Sequence, residues 1–152
     1  RPFRHRLAAC RIPKSVDMGD VTPQTLFEAA KEASLRHKAT YSDFPVGAAL
    51  LTASGQVFTG ANIEVISYPE GWCAETTAIS HMIMAGQDEI LDIAVYAPKK
   101  DLITPCGGCR QRLAEFGTAN TKLHLCDQNG PRETVLLSDI FPRGFEAEAL
   151  TS

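Results

Sequence analysis

An α/β domain built on a mixed sheet is the fold this sequence predicts, on three observations. Two apolar runs separated by Ser54-Gly55 read as a β-hairpin. Further along, apolar strands alternate with helical patterns, the arrangement that packs helices onto a sheet. Two of those helical patterns open at cysteines, Cys73 and Cys106, which predicts both cysteine-bearing helices on one face.

Thr22-Pro23 opens a first helix, with a small apolar stripe at Leu26, Ala29, Ala30 and Ala33 that runs until Phe44-Pro45 breaks it. Residues 46–51 read as a buried strand and residues 57–60 as its hairpin partner. A loop over 61–72 leads to a helix that Cys73 opens, with Ala74, Ala78, Ile79 and Met82 on its apolar side and Gly86 as its stop. Residues 90–97 form a core strand. In the next helix, Thr104 is the expected N-cap, Pro105 the first helical residue and Gly117 the stop. Leu123 and Leu125 mark a fourth strand, Asp127-Gln128-Asn129-Gly130 a turn, and residues 133–135 a fifth strand. Ser138 is the expected cap of a short last helix before Pro142.

The chain has 152 residues, 44% of them hydrophobic and 22% charged, which suits one globular domain. A chain of that length buries about 68–70% of its unfolded surface. No internal repeat, low-complexity tract, domain linker or membrane-spanning apolar run interrupts it. The net charge of -3 conceals an asymmetry. Residues 1–14 hold Arg1, Arg4, Arg6, Arg11 and Lys14 and no acid, leaving ten bases against eighteen acids, or -8, for the rest. So acidic a domain is a poor nucleic-acid binder, because phosphate contacts supply most non-specific affinity. Residues 1–17 are read as a basic N-terminal extension outside the chemistry, and residues 18–152, from Met18-Gly19-Asp20, as the domain. Five cysteines, an odd number, argue against a disulfide framework and for a reducing cytoplasm.

Chemistry concentrates in Cys73-Ala74-Glu75 and Thr104-Pro105-Cys106-Gly107-Gly108-Cys109. Thiolates are soft anionic ligands, and a catalytic zinc takes three protein ligands and keeps a fourth position open. Cys106 and Cys109, three apart at a helix start, point the same way. Two helix N-termini aimed at one metal lower thiol pKa. Glu75, two residues after the first thiol, stands where a proton shuttle for activated water belongs. Two plainer readings compete. The CxxC could be a redox pair, leaving Cys73 and Glu75 without a role. Alternatively, a structural zinc knot would recruit His81 or Cys126 as fourth ligand.

With Phe44-Pro45-Val46-Gly47-Ala48-Ala49, Asn62-Ile63-Glu64, Tyr68-Pro69, Cys109-Arg110-Gln111 and the late Phe145, these motifs resemble the zinc-dependent cytidine deaminases of the small homotetrameric, three-cysteine type. The resemblance spans about Tyr41 to Phe145. It implies a three-layer α/β/α fold with a mixed five-stranded sheet. It also implies one Zn²⁺ per chain on Cys73, Cys106 and Cys109, with Glu75 moving protons. Further, it implies that Asn62 and Glu64 hold the ribose hydroxyls, that Phe44 lies near the pyrimidine and that Tyr68 stands at the sugar's 5′ end. Ala74 and the Thr104 carbonyl would read the base, and Phe145 would reach a neighbouring subunit's site. Relatives that act on polynucleotides or deoxynucleotides typically have His-Ala-Glu; of His5, His37, His81 and His124, none stands two residues before a glutamate.

The implied activity is hydrolysis of the cyclic amidine C–N bond of free cytidine, and of 2′-deoxycytidine, in cytoplasmic pyrimidine salvage. A cytosine-nucleoside antibiotic such as blasticidin S is the alternative substrate, against which the Asn62-Ile63-Glu64 segment speaks. One departure stands out. Many three-cysteine members carry an arginine after Cys-Ala-Glu that hydrogen-bonds the sulfurs, and this chain has Thr76 there. Arg110 is the cation nearest in sequence and is expected to take over that charge. Trp72 and Arg112 have packing and solvated surface as their default readings.

Overall fold

A computed structural model of the chain describes residues 20–150, so the extension at 1–17 lies outside the described residues. The elements run α1 (Pro23–Ser34), β1 (Gly47–Thr52), β2 (Val57–Ala61), α2 (Ala74–Met84), β3 (Ile90–Tyr96), α3 (Gly107–Phe116), β4 (Lys122–Asp127), β5 (Gly130–Leu136) and α4 (Leu137–Ile140). One five-stranded sheet has the order β2-β1-β3-β4-β5. β3 and β4 are parallel, and the other pairs are antiparallel. The sheet is therefore mixed: the hairpin supplies one side, and the β3–α3–β4 crossover supplies the parallel pair.

Alternation along the strands builds the two outer layers. Ala49 and Leu51 of β1, with Ala94 and Tyr96 of β3, pack on Leu26, Phe27 and Ala30 of α1. Ala48, Leu50, Ile93 and Val95 face the other way, onto Ala74, Ala78 and Met82 of α2 and Leu113 of α3. The three-layer arrangement with both cysteine helices on one face is thus present. All six residues of β1 are buried, which is why that strand reads as one unbroken apolar run. Burying a side chain such as Leu50 or Phe27 contributes roughly 1.5–3 kcal/mol.

α2 sits unusually close to the hairpin, which positions the site. A Cβ on Gly60 would stand 2.4 Å from both the Ala74 carbonyl oxygen and the Ala78 nitrogen. Both are backbone atoms and cannot swing aside. Gly60→Ala is therefore expected to destabilise the fold by about 3 kcal/mol, the upper part of the overpacking range, as measured by urea unfolding. A loss under about 0.5 kcal/mol would mean that α2 is not seated this tightly.

Three boundaries differ from expectation. α1 ends at Ser34, ten residues before Phe44, because Lys38 is needed in an isolated β-bridge to Ile63. Lys38 accepts from Glu64 N and donates to the Asn62 carbonyl, both at 2.9 Å, pairing with the loop at Ile63. α3 starts at Gly107 with Cys106 as N-cap, so Thr104 and Pro105 precede the helix. Arg110 holds them in place, donating from Nε to the Pro105 carbonyl at 2.8 Å and from Nη2 to Thr104 Oγ1 at 3.3 Å. Ser138 lies within α4, and the Asp139 carboxylate accepts from Leu136 N at 2.9 Å to cap it.

Candidate active site

Two helix starts meet at the site. Cys73 is the N-cap of α2 and Cys106 the N-cap of α3, each with extended backbone and a carbonyl that accepts the first helical hydrogen bond, from Thr77 and Arg110. Neither thiol caps its own helix, so both sulfurs are available to something else. Cys109, one turn into α3, is fully buried. The three Sγ atoms lie within 4.8 Å of one another, and Cys73 and Cys106 are 3.8 Å apart. Two thiolates on a tetrahedral zinc with Zn–S near 2.3 Å stand about 3.8 Å apart, so the donor set fits that ion in both chemistry and spacing.

The plainer readings lose their support here. Cys126 is buried on the α1 side of the sheet, the opposite face from the three thiols. His81 Nδ1 pairs with the Thr59 carbonyl at 2.8 Å. Among the described residues, the three cysteines form a metal-competent group with no fourth side-chain donor. That leaves an open coordination position, as catalytic zinc sites have.

The charges around the thiols are uneven. Cys73 is pushed down to about 6, chiefly by the hydrogen bond from Cys109, with Cys106 and the Arg112 charge helping and burial opposing. Cys109 is pushed up by donating that hydrogen bond and by burial. Metal binding here must therefore expel a proton from Cys109. Glu75 is 4% exposed, and burial raises its carboxyl pKa, with the Cys73 charge adding to the rise. A carboxyl whose pKa is raised is a stronger proton acceptor than a free one, which suits a group that has to take a proton and return it.

A cavity of about 330 Å³ opens beside Cys73, Cys106 and Glu75, and Asn62, Glu64, Tyr68, Ala74 and Thr104 line it as well. The loop closes on itself to achieve this, since Ile63 and Trp72 exchange backbone hydrogen bonds at 2.9 and 2.8 Å. Asn62 Oδ1 accepts from Val46 N, and its Nδ2 donates to the Phe44 carbonyl, both at 2.9 Å. The Glu64 carboxylate accepts from Tyr41 N at 2.8 Å, from Ser42 N at 3.1 Å and from the Ser42 hydroxyl. These contacts hold its pKa below the usual value, the Ser42 hydroxyl most of all.

Two expected residues are not among the cavity's lining residues. Phe44 contributes its carbonyl to Asn62, and Phe145 is 64% exposed on the tail. Gln111 holds that tail, donating to the Phe145 carbonyl at 2.8 Å and accepting from Phe145 N at 3.3 Å. Thr76 Oγ1 lies 3.9 Å from Cys109 Sγ. Arg110 donates to Pro105, Thr104 and the Ile140 carbonyl and to none of the sulfurs, so it does not take over their charge as expected. The cation that bears on Cys73 and Glu75 is Arg112, which sequence reasoning left on the solvated surface. Trp72 is a cavity wall, and so are Val46, Ile63 and Ile103. Trp72's place directly before Cys73 was a usable signal; nothing in the sequence marked Ile103.

Fold and site together define a class: a zinc-dependent hydrolase with a three-cysteine metal site on a mixed α/β sheet, one zinc per chain. Residues 21–125 match the family described as "Cytidine and deoxycytidylate deaminase zinc-binding region". The chain belongs to the cytidine deaminases. A cytidine deaminase of Halalkalibacterium halodurans is 41% identical over 125 residues, covering 82% of this chain and 95% of its own. The crystal structure of cytidine deaminase from Burkholderia pseudomallei superposes with a TM-score of 0.78 at 38% identity, covering 82% of this chain and all of that one. That of Mycobacterium tuberculosis gives 0.72 at 34% identity, covering 84% and 99%. Among the described residues, no helix is long and apolar enough to cross a membrane.

Proposed function

We propose that this chain deaminates free cytidine, and 2′-deoxycytidine, to the uridine product and ammonia, as a cytoplasmic pyrimidine-salvage enzyme. The observation that carries the reading is a cluster of three thiols, two of which, Cys73 and Cys106, line one cavity of about 330 Å³ together with a buried Glu75 and the Asn62–Glu64 pair. That volume is at the lower end of small-molecule sites, in keeping with a nucleoside. Cytidine deaminase relatives of similar length support it.

Cys73, Cys106 and Cys109 hold the zinc, which when bound supplies Lewis-acid activation of water. Glu75 accepts the proton that water gives up and passes it to N3 of the base. The water oxygen bonds to C4, and Glu75 then delivers the second proton to the exocyclic nitrogen as the C4–N4 bond breaks. Ala74 and the Thr104 carbonyl orient the base, and the Phe44 carbonyl steadies the Asn62 side chain. Asn62 has one lone pair and one N–H beyond its backbone partners, and Glu64 has an acceptor site beyond its three donors. An amide and a carboxylate with those valences can grip a diol from complementary sides.

Tyr68 stands at the sugar's 5′ end, its ring 5.6 Å from that of Tyr41. Phe145 completes a neighbouring subunit's site in a homotetramer; its exposed ring and the Gln111 clamp on its backbone favour that reach. Because the domain is acidic, it disfavours phosphate-bearing substrates.

The test is an ultraviolet assay with cytidine, deoxycytidine, CMP, blasticidin S and a single-stranded oligonucleotide. Turnover of the two nucleosides and little of the rest is expected, and Phe145→Ala is expected to raise KM for cytidine at unchanged zinc content. Comparable turnover of CMP or of the oligonucleotide would contradict the nucleoside reading, and preference for blasticidin S would favour the antibiotic. A fully active monomer by light scattering would contradict the shared site.

A further inference from the structure

Three thiolates on Zn²⁺ carry a net charge of -1, and an ionised Glu75 nearby adds another. Excess negative charge next to a metal weakens the case for keeping every thiol ionised, so the surroundings matter. The N-termini of α2 and α3 offer partial positive charge only. Thr76 offers one hydroxyl. Arg110 has its guanidinium committed to Pro105, Thr104 and Ile140. Lys99 is paired with Asp43 at 2.5 Å.

Arg112 is differently placed. It follows Gly108 by four residues and Cys109 by three, so on α3 it shares their side of the helix. Its guanidinium folds back onto the first turn: Nη1 lies 3.1 Å from where a Cβ on Gly108 would be. A side chain there would push the guanidinium away, and at Gly107 nothing lies within 4 Å of a Cβ position. The Gly107-Gly108 pair between the two thiols thus leaves the helix start bare, and the cation lies across it. From there its charge reaches Cys73 and Glu75, both carried by the facing α2.

We infer that Arg112 is a positioning residue that balances the negative charge of the three-thiolate site and thereby strengthens zinc binding, without touching substrate. This rests on reading Cys73, Cys106 and Cys109 as the zinc ligands. Arg112 is exposed, so water and salt screen its charge. The effect belongs at the low end of the 10–100-fold that losing an outer partner of a metal site costs.

The experiment is zinc competition with a chromophoric chelator on the full chain, at low and high salt, for wild type, Arg112→Gln and Arg112→Lys. Arg112→Gln is expected to bind zinc about tenfold more weakly, with the gap narrowing in high salt, while Arg112→Lys stays near wild type because it keeps the charge. Unchanged affinity in Arg112→Gln would overturn the inference. Equal losses in both variants, with a lower melting temperature of the zinc-free protein, would assign Arg112 to packing and overturn it too. Cobalt substitution separates the two levels. A wild type without thiolate-to-cobalt charge-transfer absorption would overturn the ligand reading and the inference together. A normal band with unaltered Arg112→Gln affinity would overturn only the role of Arg112.

Discussion

Glu75→Gln is expected to retain a full complement of zinc and to lose cytidine turnover by at least about 10²–10⁴-fold, the range that general acid–base catalysis supplies. Glutamine keeps the size and much of the polarity of the side chain, so the buried pocket should stay filled. It cannot accept and return a proton, and the proposed reaction needs two such transfers. The site is arranged for them, since burial raises the carboxyl's pKa beside the thiol cluster. The measurement pairs steady-state kinetics with metal analysis on the same sample. If the variant keeps more than about a tenth of wild-type activity, the proton path does not run through Glu75.

Cys109→Ser should have the other large effect. Cys109 is fully buried and completes the thiol triangle from inside α3. A serine hydroxyl is a hard donor that does not ionise at neutral pH, so it cannot replace a thiolate on zinc. Loss of an outer partner already costs about 10–100-fold in metal affinity, and loss of a direct ligand costs more. The variant is expected to purify with little zinc, to lose activity in proportion and to melt at a lower temperature, because metal binding is linked to folding. Full zinc content with an unchanged melting temperature would mean that Cys109 is not a ligand.

Much of this was legible because periodicity and punctuation survive folding. The unbroken apolar run of β1, the Ser54-Gly55 turn and the cysteine-opened helices are local signals, and the structure keeps each of them. The boundaries that differed were set by contacts distant in sequence. α1 stops early because Lys38 is needed opposite Ile63, a pairing no local pattern shows. α3 starts late because Arg110 straps Thr104 and Pro105 from within the helix.

The site shows the same division. Ligand types at fixed spacing marked the thiols and Glu75, and the structure brings them together. Sequence distance from Cys109 favoured Arg110 over Arg112, but side-chain direction on a helix turn decides which one faces the thiols. Arg110 turns to the Ile140 carbonyl, 30 residues away in sequence, and Arg112 folds back over Gly108.

The central claim is an open three-thiolate zinc site, and zinc K-edge X-ray absorption on the full chain tests it most directly. Three sulfurs at about 2.3 Å and one lighter atom are the expected coordination. Four sulfurs would describe a closed structural knot, and a nitrogen pattern from histidine would require ligands other than Cys73, Cys106 and Cys109; either result would contradict the account.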